Sequence, residues 1–282
     1  MSSVADRSQQ PAGAPVPGTG VFAPGRARIA QRTLRTDNWR LPPLRIAGIL
    51  GFFVVYTLIR IFMNKWYFVP EYHYLTPVYS PCISASCVPD SSDFGHWVGK
   101  FPTGIPLAIF IFPILAGFRT TCYYYRKAGY RSLWASPQAC AVPEPHATYT
   151  GETRFPLGLM NSHRYFFTLA SVLLLVNFYD AIKAFHGKDG GFGIGLGTLI
   201  MVTNVVMLAL YATSCHSCRH IVGGRLKHFS KHPVRYRLWT GVSKLNPLHG
   251  NFAMASLCTV ILTDAYIMAI SAGWFSDLRI IN

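Results

Sequence analysis

Five stretches of this chain are apolar over the length that crosses a bilayer. A helix spans the ~30 Å hydrocarbon core in about 20 residues. The stretches run from Leu44 to Phe68, Phe101 to Tyr124, His163 to Phe185, Phe192 to Ser214 and Asn251 to Trp274. They predict an all-α integral membrane protein, a five-transmembrane-helix bundle over residues 41–282. Pro106 and Pro113 distort the second span, and neighbouring helices can repair the freed backbone groups.

Composition agrees. Charged residues make up 13% of the chain and hydrophobic ones 51%, whereas soluble domains carry about a quarter charged residues. Residues 1–40 form a separate arm, basic towards its end and rich in Pro, Gly, Ala, Ser and Gln near its start (QQPAGAPVPGTG). Such a segment cannot build a core and is expected to be disordered. It lacks the apolar stretch of a signal peptide.

The net charge of +15 raises the question of nucleic acid. The cations, however, sit between apolar runs, as they do at an anionic cytoplasmic leaflet, so membrane lipids are the expected partners and nucleic acid is not. They also fix an expected orientation. Arg26, Arg28, Arg32, Arg35, Arg40 and Arg45 precede span one. Arg119, Arg126, Lys127, Arg131 and Arg154 follow span two. Arg219, Arg225, Lys227, Lys231, Arg235, Arg237 and Lys244 follow span four, with no acid among them. The positive-inside rule then places the N-terminus cytoplasmic and the C-terminus outside, in a multi-pass protein of the plasma membrane. Trp66, Tyr67, Trp97 and Trp274 fall at the outer interface.

The cysteines divide by side. Cys82 and Cys87 lie in the outer loop, where a disulfide can persist. Cys122, Cys140, Cys215 and Cys218 are at or near the inner face, where thiols stay reduced, and Cys258 lies within span five. The densest motif is SCHSCRH, Ser214 to His220, at the inner end of span four. His163 opens span three and His249 precedes span five, so histidines from three helix ends share one depth.

At ~100° per residue, Cys215 and Cys218 fall about 60° apart on a helix, and His216 and His220 about 40° apart on another face. A regular helix cannot wrap all four around one small site. Either the chain unwinds near Gly223-Gly224, or other helices complete one pair. The expected metal ligands are Cys215 and Cys218, with partners drawn from His163, His216, His220 and His249. Two thiolates and two imidazoles suit a Rieske-type [2Fe–2S] cluster or a tetrahedral zinc. Haem b between His163 and His216 or His220 is the other option. A second haem would call on His96 and His186, near the outer face.

Arg60, Asp180 and Asp264 lie in the outer halves of spans one, three and five. Ionisable groups at that depth are costly and often functional. One reading is an Arg60–Asp180 ion pair; the other is proton transfer through Asp180 and Asp264. Gly191, Gly193, Gly195 and Gly197 fit close helix packing, since no strand precedes them as a dinucleotide site requires. With no triad or phosphate loop, the chain is not a complete enzyme by itself.

From about residue 40 to its end the chain resembles the large membrane anchor of actinobacterial succinate dehydrogenases. The segments carrying the resemblance are SCHSCRHIVGG (214–224), HFSKHPVRYRLW (228–239), LNPLHGNFAMAS (245–256) and TDAY (263–266). It implies partnership with a flavoprotein subunit and an iron–sulfur subunit, docked on the basic inner loops. It further implies electron relay from the latter to menaquinone, and it is compatible with a higher oligomer of the complex. Di-haem anchors of this superfamily place a ligand histidine on each of four helices; span one here has none. A Rieske-type centre is therefore expected at the inner face, with haem b as the alternative. Tyr165, Trp239 and Ser243 are the expected quinone contacts. Two other readings are a proton-coupled secondary transporter and a structural anchor without a redox centre.

Overall fold

A computed structural model of the protein describes residues 37–100, 105–134 and 157–282. The first 36 residues of the expected arm, Phe101–Gly104 of the expected second span, and Cys140 lie outside these. The helices are α1 (Leu41–Met63), α2 (Ala108–Thr120), α3 (Tyr123–Gly129), α4 (His163–Lys183), α5 (Leu196–Thr213), α6 (His216–Gly223), α7 (Pro233–Leu245) and α8 (His249–Ser271).

Among the described residues four helical stretches are long and apolar enough to cross a membrane: Leu41–Met63, Gly158–Lys183, Leu196–Thr213 and the continuous run Pro233–Ser271. The second expected span is shorter than its apolar run. Helix α2 has 13 residues, about 20 Å at 1.5 Å per residue. It stops where the backbone at Cys122 turns extended (φ −62°, ψ 132°), just after Thr120 and Thr121, whose hydroxyls bond the Ala116 and Gly117 carbonyls.

The apolar surface is that of a lipid-immersed bundle. On α1, Phe52, Val55, Ile59 and Phe62 are exposed at helical spacing, while Phe53, Thr57, Arg60 and Ile61 face inward. On α4 the exposed stripe is Val172, Leu175, Phe178 and Ile182. Exposed apolar stripes of this length are not tolerated in water. Helix α8 is the most enclosed, packing along α5 and burying Ala253, Leu257, Val260 and Ile267.

The connection from α1 to α2 folds over one end of the bundle. Strands β1 (Phe68–Val69) and β2 (Tyr74–Leu75) pair antiparallel there, and Cys82 and Cys87 are disulfide-bonded. Strand β3 (Ile194–Gly195) pairs antiparallel with β4 (Arg279–Ile281) and ties the C-terminus to the start of α5. The glycines expected to serve helix packing instead admit this cap. A side chain at Gly197 would run into the Tyr74 ring, and Gly191 takes a positive φ of 77° in the turn before β3.

The expected Arg60–Asp180 pair does not form. Arg60 on α1 faces α8 and bonds Asp264 at 2.6 Å, with the Tyr56 hydroxyl also donating to Asp264 at 2.5 Å. Asp180 on α4 faces the connecting loop and accepts from the Ser80 hydroxyl. His186 neighbours His73, with ring centroids 6.4 Å apart, while His96 is exposed.

Candidate functional site

At the other end of the bundle two chain turns are built alike. Helix α2 ends in Phe118-Arg-Thr-Thr-Cys122 and α5 ends in Tyr211-Ala-Thr-Ser-Cys215. In both, the first threonine bonds its own helix (Thr120 to Ala116, Thr213 to Ala209) and the cysteine is the extended N-cap of a short helix, α3 or α6. Each turn is then followed by a helix that opens with histidine: α4 with His163, α8 with His249.

The two histidines cross-link the turns. His163 has Nδ1 2.9 Å from Thr121 Oγ1 of the first turn and Nε2 3.2 Å from Cys215 Sγ of the second. His249 has Nδ1 2.8 Å from Ser214 Oγ of the second turn and Nε2 3.2 Å from Cys122 Sγ of the first. The aromatic rings follow the same symmetry. Phe118 stacks on His163 at 5.4 Å and Tyr211 on His249 at 5.1 Å.

Hydrogen bonding fixes the tautomers. The Thr121 hydroxyl donates to the Gly117 carbonyl and that of Ser214 to the Tyr211 carbonyl, so both hydroxyls accept from imidazole Nδ1–H. Both Nε2 atoms therefore carry a lone pair aimed at a sulfur. This is the arrangement metal-binding histidines use: the outer N–H is held by a polar neighbour and the other nitrogen is free to ligate.

Cys122, Cys215 and His249 are buried and His163 is half-buried. Burial pushes the Cys215 thiol up to about 11. Buried thiols of this kind stay protonated unless a cation takes the proton's place. The Tyr211 hydroxyl is buried, with the Cys122 sulfur beside it. Two thiols and two imidazoles, the donor set of a metal centre, thus gather at one end of the bundle. Among the described residues, no three His, Cys, Asp or Glu side chains converge closely enough to hold one metal ion. The donors instead stand as two His–Cys pairs.

The structure thus draws two of the expected ligand histidines and one expected cysteine together, and adds Cys122. The remaining members of SCHSCRH stay apart. Cys218 is half-buried on α6, and His216 and His220 are exposed. Only Cys215 precedes the helix and turns inward; each later residue is rotated about 100° further. Sequence reasoning passed over Cys122, Thr121, Ser214, Tyr211 and Arg119. The repeated aromatic-x-Thr-Thr/Ser-Cys pattern was the available signal.

Tyr165 is exposed in an open cleft beside His163, whose walls include Tyr123, Arg126, His216 and His220. Trp239 and Ser243 lie on α7, outside that cleft. The Trp239 ring packs under Arg219, 5.0 Å from its guanidinium carbon, and the Ser243 hydroxyl is buried without a partner.

These features define a multi-pass, all-α membrane protein with a buried imidazole–thiol centre at one end. The sequence profile of the actinobacterial succinate dehydrogenase subunit SdhC matches residues 41–273, and the chain belongs to that family. It is a membrane subunit of a succinate dehydrogenase assembly in the plasma membrane. It is also similar to a chain of the Mycobacterium smegmatis Sdh1 complex in the apo form. The identity is 60% and the TM-score 0.86, over 94% of this chain and 100% of that one. Among curated proteins no relative matches.

Proposed function

We propose that this chain anchors a succinate dehydrogenase and relays its electrons to a quinone through a Rieske-type [2Fe–2S] centre on Cys122, Cys215, His163 and His249. The observation that carries the reading is the crossed arrangement, in which each imidazole Nε2 faces a thiol while its Nδ1–H is held by a hydroxyl. When bound, such a centre accepts and passes on one electron. The chain's own residues orient the imidazoles, bury the sulfurs and exclude water. Haem b fits less well, because both Nε2 atoms stand 3.2 Å from sulfur and leave no width for a porphyrin. A single zinc fits less well, because the donors form pairs and do not converge on one point.

In this reading the chain makes five spans, α2 lying in the second. The centre lies at the cytoplasmic end, where the cations between α5 and α8 gather. The partners are a flavoprotein subunit that oxidises succinate and an iron–sulfur subunit seated on that basic face. The quinone, menaquinone, enters the cleft beside His163, where Tyr165, Arg126 and His216 offer polar contacts. Asp180 and Asp264, near the opposite face, serve proton movement.

The test is low-temperature electron paramagnetic resonance of the purified, dithionite-reduced complex, with iron and acid-labile sulfide assays. Cys122→Ser and Cys215→Ser should each remove one [2Fe–2S] signal and two irons per complex, the soluble subunits' clusters remaining. A full signal in Cys122→Ser would sink the assignment.

A further inference from the structure

Arg119 is 3% exposed, in the turn that carries Cys122. Its Nη1 donates to Tyr125 Oη at 3.3 Å, the Ala253 carbonyl at 3.2 Å and Ser256 Oγ at 3.2 Å, all neutral acceptors. Among the described residues no carboxylate lies within ion-pair distance of it. It also borders a narrow apolar cavity of ≈ 40 Å³ that passes Phe118 and Ala212 towards Asn177, with no acidic side chain in its wall. Arginine is always charged. A buried, unneutralised guanidinium at membrane depth is expensive to keep.

The repeat shows that the turn itself does not need this charge. The residue equivalent to Arg119 in the second turn is Ala212, and that turn closes with the same threonine and cysteine geometry. The symmetry of the site is therefore broken by one positive charge. Its guanidinium carbon lies 5.1 Å from the centroid of Tyr211, and Tyr211 stacks on His249 at 5.1 Å.

We propose that Arg119 sets the reduction potential of the centre, by favouring the form that holds the electron. This rests on the redox reading above. Two ferric irons, two sulfides, two thiolates and two neutral imidazoles sum to zero charge. One electron, received from the iron–sulfur subunit and passed on to quinone, makes the sum −1. A fixed positive charge in a low-dielectric site stabilises that state. Arg119 makes none of its hydrogen bonds to the four ligand side chains; it acts through the field and through the Tyr211–His249 stack.

The experiment is a redox titration of the centre in the intact complex, followed by electron paramagnetic resonance. Arg119→Gln should lower the equilibrium constant for reduction at least tenfold, about 59 mV for a one-electron couple. Arg119→Lys, which keeps the charge, should stay near wild type. Ser256→Asp leaves Arg119 in place but neutralises it, and should shift the potential downward like Arg119→Gln. If Arg119→Gln does not assemble the centre, Ser256→Asp decides. Unchanged potentials in variants that hold the centre overturn the role of Arg119 and leave the redox reading standing. Absence of the centre from the wild-type complex removes the redox reading itself.

Discussion

Cys122 and Cys215 occupy equivalent positions in a repeated turn, and each faces the histidine that belongs to the other. Cys122 Sγ lies 3.2 Å from His249 Nε2, and Cys215 Sγ lies 3.2 Å from His163 Nε2. The exchange locks α2, α4, α5 and α8 together at one end. Losing any one donor therefore weakens a four-helix junction as well as the proposed ligand set.

Thr121 and Ser214 should matter nearly as much as the four proposed ligands. Each hydroxyl accepts the Nδ1–H of one histidine and so fixes its ring. Thr121→Val and Ser214→Ala should each cost about 10–100-fold in metal affinity, the range for outer partners of ligating histidines. Iron retained per complex after a timed chelator challenge measures it.

Cys218, His216 and His220 provide the contrast. They lie on α6 with none of the Nε2–sulfur contacts of the centre, so Cys218→Ser should leave iron content and the resonance signal unchanged. His216→Ala and His220→Ala should likewise retain the signal. Because both side chains line the cleft beside His163, where quinone is proposed to enter, both substitutions should raise its apparent KM.

The Arg60–Asp264 pair is buried at 1% and 0% exposure, and Arg60 also bonds the Lys65 and Trp66 carbonyls. Removing one partner strands a buried charge, at a cost of about 3–5 kcal/mol. Asp264→Asn and Arg60→Met should each lower the melting temperature of the detergent-solubilised complex. The double variant should be clearly better than the sum of the two, which a double-mutant cycle will show.

Asp277 holds the opposite end closed. Its carboxylate accepts from Tyr74 Oη at 2.9 Å, Gly197 N at 2.9 Å and Tyr266 Oη at 2.8 Å, beside Arg279. It thus places negative charge at the N-terminus of α5. Asp277→Ala should release β4 from β3, with about 1.5–3 kcal/mol lost for a charged hydrogen bond. Faster carboxypeptidase trimming of residues 279–282 in Asp277→Ala than in wild type is the readout.

Much of this protein was legible in one dimension. A backbone in lipid must bond to itself, so long apolar runs commit to helices before any packing is known, and α1, α4, α5 and α8 lie where those runs predict them. The segments SCHSCRHIVGG and LNPLHGNFAMAS pointed to the family. Local sequence also placed His163, Cys215 and His249 at one depth, because depth along a helix is set by rise per residue. Which side chains then met was a matter of rotation and neighbours. Cys218 is three residues from Cys215 yet stays apart, while Cys122, 93 positions earlier, completes the set. Arg60 likewise chose Asp264 over Asp180 because α1 faces α8 at that level. Sequence fixes what a helix carries and how deep. Only the packing of four helix ends decides which thiol an imidazole faces, since direction around a helix has meaning only against its neighbours.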